Sequence, residues 1–440
     1  MTTPTILLTP RRQAIPAGFA TTLEVLVRIA VPDAPATNAV KRPPLHLALV
    51  IDHSGSMSGA PLDEAKKSAS FIIENLSPHG RASLIIFDDN AETLVPLVDM
   101  SHRATLLAAI KGIRSGGSTN LHGGWLAGAE SLATAARPNV LSRVILLSDG
   151  CANRGLQDPA AIARQCAEMA GAGVSTSTYG LGHNFNEALM IDMARAGQAN
   201  SYYGESAADL MDPFREEFAL LNALFSRQTV LHVGLTNGVS AELLNDYPPV
   251  ATGGWRLPDL ALGAEAWALL RLTMPATPES TLPAELASVT VNYQSLDGQA
   301  YEPLTTTLAL PAVTPSLFST LAEDALVLRR LAEINAAKLQ VKARGAAQRR
   351  DWQQVDLLLG EVSALGADNP WIASVVKELK QLASRRNDVM FAKEASYSSQ
   401  RMTTRVTAPR EGLHDTLNIP DFLRRKTRQG KAEDKQTPDP

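Results

Sequence analysis

Leu47-Ala48-Leu49-Val50-Ile51 runs without a break into Asp52-His53-Ser54-Gly55-Ser56. Five consecutive apolar residues suit a strand buried on both faces, the texture of strands in parallel sheets. The polar residues that follow then fall in the loop at the carboxyl end of that strand, the edge where open α/β sheets receive ligands. Two further segments point to the same edge. The strand candidate Arg143–Leu147 leads into Ser148-Asp149-Gly150, and Gly116-Gly117-Ser118-Thr119-Asn120 precedes a helical stretch. Hydroxyls at Ser54, Ser56 and Thr119 and carboxylates at Asp52 and Asp149 are therefore expected to converge.

Outward from this stretch the alternation continues. Strand patterns at Leu47–Ile51, Ala82–Phe87, Thr93–Val98, Arg143–Leu147, Val174–Tyr179 and Ser201–Tyr203 alternate with helical patterns at 61–76, 103–113, 122–136, 159–172, 186–196 and 207–225. Such an order predicts an α/β fold with a doubly wound, mostly parallel sheet and helices on both faces. Residues 5–31 read as extended, and so do the Pro- and Gly-punctuated runs between Thr229 and Val313, which suggest a β-sandwich. The N-terminal strands cannot bury a core alone. They are expected to pair into that sandwich, with the α/β domain as an insertion.

From Thr314, a candidate N-cap ahead of Pro315, the period turns helical. One stripe runs through Leu317, Leu321, Ala325, Leu328 and Leu331. A second helix is expected over 351–365, closed by Gly366, and a third from Pro370 towards Ala395. Trp352 and Trp371 read as core of this module, and Arg344, Arg349 and Arg350 as a solvated face. The expected organisation is 1–43 N-terminal sandwich strands, 44–227 α/β domain, 228–313 remainder of the sandwich, 314–400 helical module, and 401–440 a disordered tail.

The 440 residues carry 41 Lys plus Arg against 45 Asp plus Glu, a net charge of −4. That balance argues against general affinity for nucleic acid or anionic membrane. The only cysteines, Cys151 and Cys166, exclude a disulfide framework and a four-cysteine zinc site, and both read as bystanders. No apolar run reaches the ~18–20 residues of a membrane span, and the first residues lack a basic leader. A cytoplasmic protein is expected.

An all-oxygen set from Asp52, Ser54, Ser56, Thr119 and Asp149 suits a hard octahedral cation, Mg²⁺ or Mn²⁺, over zinc. With hydroxyls bound directly and carboxylates acting mainly through water, such a cation keeps much of its charge. It then favours an acidic side chain, Asp or Glu, from a protein partner. The order Asp-x-Ser-x-Ser, later Thr, later Asp-Gly resembles the metal-ion-dependent adhesion site of von Willebrand factor A (VWA) domains. The resemblance covers roughly 44–227 and implies Ser54, Ser56 and Thr119 as hydroxyl ligands, with Asp52 and Asp149 as the carboxylates. It implies a non-catalytic, Mg²⁺-dependent interaction module or scaffold in a bacterial protein. In that family the last helix of the domain, here 207–225, shifts on ligand binding. The split sandwich and the helical end with Tyr397-Ser398-Ser399-Gln400-Arg401-Met402 resemble inter-alpha-trypsin-inhibitor-type proteins and their Vwaint module. Some eukaryotic relatives add a RING finger, which two cysteines cannot build.

Other residues are given plainer roles. His53 is expected to point away from the ion and Met57 to pack under the loop, while Asp88-Asp89 either hydrogen-bond the site or are solvated, the second being favoured. Asn120 either orients the loop or serves simple turn chemistry. Gly180-Leu181-Gly182-His183 lacks the third glycine of a dinucleotide turn, and no P-loop, His-Glu-x-x-His or Gly-x-Ser-x-Gly sequence occurs. Two alternatives share the metal site: an adaptor for an AAA+ ATPase or signalling kinase, and a metal-dependent phosphoester or nucleotide enzyme. The enzyme would need a base or phosphate-gripping cation, for which Arg154 is the nearby candidate. In the tail, Ile419, Phe422 and Leu423 of Asn418–Arg425 share one face of a short helix. The string resembles the C-terminal docking peptide of the bacterial division protein FtsZ, implying a partner-binding segment.

Overall fold

The computed structural model describes residues 3–32, 43–137, 140–149, 152–181, 186–204, 214, 217, 221 and 223–404. The chain opens with β1 (Thr5–Pro10), the two-residue β2 (Ile15–Pro16) and β3 (Thr21–Ala30). It then enters the α/β unit through β4 (Leu45–Asp52), α1 (Ala60–Asn75), β5 (Arg81–Phe87), β6 (Ala91–Asp99) and α2 (Arg103–Gly112). The unit continues with α3 (Leu121–Ala133), β7 (Leu141–Ser148), α4 (Pro159–Gly171), β8 (Val174–Leu181), α5 (Glu187–Ala196) and β9 (Ser201–Gly204).

These strands form one sheet in the order β6-β5-β4-β7-β8-β9. All neighbours are parallel except β6, which returns antiparallel beside β5. Every residue of β4 and β7 is buried, which is why each carries a continuous apolar stretch, Leu47–Ile51 and Val144–Leu147. Successive side chains face opposite sides of a strand. Leu47, Leu49 and Ile51 accordingly join Ile72 and Leu106 on one face, while Ala48 and Val50 join Trp125, Ile162 and Met193 on the other. After β4 the chain adds β5 on one side and β7 on the other, so the topological switch point lies between β4 and β7.

Helix α3 lies close on the sheet because it is glycine-rich where it touches. A Cβ at Gly124 would come 2.3 Å from Phe87 Cδ1, and one at Gly128 would come 2.4 Å from Val50 Cγ2. Gly124→Ala is expected to destabilise the α/β unit by about 1–3 kcal/mol through overpacking. That loss outweighs the roughly 1 kcal/mol gained in helix propensity. A urea midpoint that stayed put or rose would show that α3 has room to lift.

The chain then returns to the sandwich through β10 (Leu224–Leu235), β11 (Ser240–Leu243), β12 (Trp255–Arg256), β13 (Leu260–Ala261), β14 (Glu265–Met274), β15 (Ser280–Gln294) and β16 (Leu304–Val313). One sheet runs β1-β3-β14-β11 and the other β12-β10-β15-β16-β2, with β13 also on β10. Val25, Val27, Ile29, Ala268 and Leu270 pack between them with Leu231, Val289 and Val291. The N-terminal strands thus pair into the sandwich, and the α/β unit is an insertion between β3 and β10. The helix expected over 207–225 ends earlier, since Leu224 and Phe225 already belong to β10. Phe214, Glu217 and Leu221 are its described helical residues.

The helical module differs from expectation at two breaks. The stripe through Leu317 to Leu331 is not one helix but two, Pro315–Thr320 and Ala325–Gln348. Thr314 caps the first, accepting from Leu317 N. Asp324 caps the second, accepting from Leu326 N and Val327 N at 3.0 Å, so a local carboxylate starts a new helix where periodicity suggested continuity. Leu317 is left 51% exposed. The helix Trp352–Leu365 ends at Gly366 as expected. The third helix stops at Ser384 and does not reach Ala395. Arg386 has φ 50°, and Asn387 caps a new helix, Asp388–Thr404, by accepting from Met390 N at 3.0 Å.

Trp371 is buried and Trp352 meets Phe391 edge-on at 6.3 Å. Arg344 is not on a solvated face, because it is half-buried and donates to Ser396 Oγ at 2.9 Å. Arg349 and Arg350 are exposed. The module joins the sandwich where Arg330, paired with Glu333, lies 4.9 Å over the Trp267 ring. No helix among the described residues is long and apolar enough to cross a membrane. The tail beyond residue 404, with Ile419, Phe422 and Leu423, lies outside the described residues, as do Cys151 and Gly182-His183.

Candidate metal centre

The carboxyl ends of β4 and β7 bring Asp52 and Asp149 together at the switch point, since Ile51 pairs in register with Leu147. Asp52 is fully buried and Asp149 5% exposed. Ser148 Oγ donates to Asp52 Oδ2 at 2.6 Å, and the Ser54 amide donates to Asp52 Oδ1 at 2.9 Å. The second bond is a tight turn that aims Ser54 back over the strand end. Ser54 and Ser56 lie with their hydroxyls 3.1 Å apart. Ser54 is buried and Ser56 exposed, so the pair spans from floor to mouth.

Thr119, 2% exposed, arrives from the loop before α3. That loop is sewn to the serine loop through its backbone: Gly55 N donates to Gly117 O at 3.0 Å and Gly116 N to His53 O at 2.8 Å. Gly117 has φ 69°, and a Cβ there would meet Asp88 Oδ2 at 2.5 Å, so both conformation and space require glycine. Asn120 caps α3 by accepting from Gly123 N at 3.0 Å, and its own amide donates to Asp88 O. Loop orientation and capping chemistry are both served.

All five predicted residues therefore lie at one sheet edge, Asp52 as the last residue of β4 and the other four just beyond strand ends or before α3, with Asp52, Ser54, Thr119 and Asp149 buried. Met57 is buried beneath, as expected. His53 turns away: its Nδ1–H donates to Arg114 O at 2.8 Å, and Nε2 is 3.9 Å from Asp88 Oδ2. Asp88 and Asp89 correct the expectation of simple solvation. The Asp88 carboxylate accepts from Asn90 N at 3.1 Å and lies 3.9 Å from His53 Nε2, while its backbone oxygen accepts from Asn120 N. Asp89 pairs with Arg154 and accepts from Ser118, and those bonds, Arg154's first, hold its carboxyl below the usual range. Arg154 is thus already committed to a carboxylate. Burial pushes the Cys166 thiol up to about 12, which makes it inert at neutral pH.

The sequence reading missed Ser148 and Asn153. Asn153 Oδ1 accepts from Thr119 N at 2.9 Å while the Asn153 backbone N–H donates to Thr119 O at 3.1 Å. This two-point clasp fixes the threonine to the loop after β7. The one local signal was an asparagine in the turn Asn153-Arg154-Gly155, with nothing to name its partner. For a Mg²⁺ ion held in part by Thr119, losing this support in Asn153→Ala would weaken binding about 10- to 100-fold, the usual cost of removing an outer-shell group. Asn153→Asp, which keeps the acceptor, should retain more of it. Calorimetric titration of the three proteins decides, and equal affinity for wild type and alanine variant would remove the role.

The electrostatics fit a cation. Burial pushes the Asp52 carboxyl up to about 6, against the pull of its bonds from Ser148 and Ser54, and the neighbouring Asp149 charge adds to the rise. Asp149 Oδ1 is shielded from solvent and has no hydrogen-bond partner among the described residues. A buried carboxylate oxygen left bare is costly. No Lys or Arg pairs with either carboxylate among the described residues, and no group of three or more His, Cys, Asp or Glu gathers there to hold a metal ion. Two carboxylates with three hydroxyls instead suit a hard, oxygen-loving cation.

Residues 46–216 match the von Willebrand factor type A domain. An uncharacterized protein of Synechocystis sp. is 31% identical over 243 residues, which cover 54% of this chain and 53% of that one. Inter-alpha-trypsin inhibitor heavy chain H3 of Homo sapiens is 30% identical over 187 residues, 40% of this chain and 21% of that one. The match thus spans about half of the first relative and a fifth of the second. A solved von Willebrand factor type A structure from Catenulispora acidiphila superposes with a TM-score of 0.73 at 16% identity, covering 92% of this chain and 98% of that one. The ArnB paralog VWA2 from Sulfolobus acidocaldarius gives 0.59 at 17%, covering 91% and 99%. At these identities the likeness concerns fold. It extends over sandwich, insertion and helical module together.

Proposed function

We propose, for a chain that carries a von Willebrand factor type A domain over residues 46–216, that it binds a protein partner through a Mg²⁺- or Mn²⁺-dependent contact to an acidic side chain. Such domains are commonly interaction modules. The observation that carries the metal-dependent reading is the bare, buried Asp149 Oδ1 beside Asp52, in a ring completed by three neutral hydroxyls. Ser54, Ser56 and Thr119 would hold the cation directly, with Asp52 and Asp149 flanking it. When bound, the cation supplies a positive centre that attracts an incoming carboxylate.

The chain's own residues set the terms of that contact. Ser148 and the Ser54 amide occupy both oxygens of Asp52, which keeps this carboxylate from turning outward. Asn153 holds Thr119 in place, and Ser56 reaches the solvent side where a partner would arrive. Neutral hydroxyls in the ring leave the cation's charge largely uncompensated, so an anionic ligand is favoured over a neutral one.

The test is partner capture on immobilised wild-type protein in Mg²⁺, with elution by chelator, alongside a Thr119→Val column. Retention that depends on Mg²⁺ and is lost on the valine column is expected. Retention indifferent to both chelator and substitution would overturn the reading.

A further inference from the structure

At the amino edge of the α/β sheet, opposite the metal centre, the three parts of the chain close on a cavity of about 200 Å³. The α/β unit contributes Arg143 and the Arg195–Tyr202 segment, the sandwich contributes the 246–261 loops, and the last helix contributes Gln400 and Arg401. Its walls are largely apolar, with Leu224, Pro248 and Leu257 among them, yet four arginines face it.

Two of the three acidic groups there are already committed to other arginines. Glu217 pairs with Arg143, and Asp246 pairs with Arg195 at 2.7 Å. Asp259 Oδ1 accepts from the Gln228 amide at 3.0 Å. Arg401 donates to Tyr397 Oη at 2.9 Å. Arg256 differs from the others. Its backbone N–H is used, donating to Pro248 O at 2.8 Å, but its guanidinium has no hydrogen bond among the described residues, and Nη1 is sealed from solvent. Burial works against its charge, with Asp259 the opposing attraction.

A half-buried guanidinium with one nitrogen sealed from water and left without an acceptor is incompletely solvated and incompletely paired. An oxyanion accepting two parallel N–H bonds is its natural complement. The space exceeds the roughly 150 Å³ that admits a benzene ring and falls below the ~300–1,000 Å³ of drug-sized sites. We propose that this cavity is a binding site for a small organic anion, a carboxylate or phosphate monoester on an apolar body of about one ring, anchored by Arg256. All three parts of the chain line it, so its occupant would fasten the α/β unit to the sandwich and the last helix.

The experiment uses the full chain in EDTA and phosphate-free buffer, which makes it independent of the metal centre. Phenyl phosphate, benzoate and neutral benzyl alcohol are titrated by calorimetry and by thermal melting at up to about 1 mM, the weak end of specific binding. At least one anion is expected to bind and raise the melting temperature, with the alcohol at least tenfold weaker. The tighter anion identifies the headgroup. Arg256→Gln should lose tenfold or more, Arg256→Lys should keep part of the affinity, and Ser54→Ala/Ser56→Ala should bind as wild type. No binding of either anion, equal binding of the alcohol, or anion binding undiminished in Arg256→Gln would overturn the proposal. The anion-against-alcohol comparison on wild type stands even if a variant fails to fold.

Discussion

Alanine at both Ser54 and Ser56 is expected to lower Mg²⁺ affinity by at least about 100-fold, because losing even an outer-shell support costs 10- to 100-fold and these hydroxyls would face the ion directly. The two hydroxyls lie 3.1 Å apart, Ser54 on the buried floor of the centre and Ser56 at its mouth. Removing them leaves Asp52 and Asp149 with Thr119 as the one remaining hydroxyl of the set. Melting in EDTA should change little, since the backbone bonds that shape the loop, from Ser54 N to Asp52 and from Gly55 N to Gly117 O, do not use either hydroxyl. Calorimetric titration with Mg²⁺, with EDTA melting curves as the folding control, measures both. Unchanged Mg²⁺ affinity in a folded double variant would show that no cation sits between these loops.

Glu217→Ala is expected to cost about 3–5 kcal/mol, the usual penalty for stripping one partner from a buried ion pair. For a unit of this size that is a fall of roughly 10 °C in its transition. Glu217 is 2% exposed and accepts from Arg143, Ser177 and Tyr179. Burial and the facing carboxylate hold the Tyr179 hydroxyl well above its ordinary range, so it stays a donor. Phe214 stacks on Tyr179 at 4.1 Å, so this network ties the segment after β9 to β7 and β8. Truncation leaves the Arg143 charge buried with Ser175 Oγ, at 3.0 Å, as its remaining side-chain acceptor among the described residues. Replacing both partners by apolar residues of similar size, Arg143→Met with Glu217→Leu, should restore much of the loss. Denaturant unfolding of the three proteins checks the pair. A Glu217→Ala variant as stable as wild type would mean that water reaches Arg143.

The loop residues of the candidate centre were legible because each follows or precedes a strongly patterned element. Asp52 and Asp149 close apolar strands, and Thr119 stands one residue before the cap of α3. Their supports were not legible. Ser148 became a donor to Asp52 only because β7 lies beside β4, and Asn153 found Thr119 only because two loops distant in sequence meet at the switch point. Asp88 and Asp89, charged and next to a strand end, looked solvated; the neighbouring loops supply His53, Ser118 and Arg154 as partners. The helical breaks at Asp324 and Asn387 escaped a reading by periodicity because a side chain competing for amide hydrogens acts within three residues, below the window that shows a stripe.

By itself the sequence determined the class of fold and which side chains meet at the carboxyl edge of the sheet. Both follow from burial on two faces of a strand and from the polar residues that must end it. Only the tertiary structure decided what lies at the opposite edge. The Glu217 network and the Arg256 cavity are made of residues from separate parts of the chain, and no local pattern encodes a neighbour that arrives through packing.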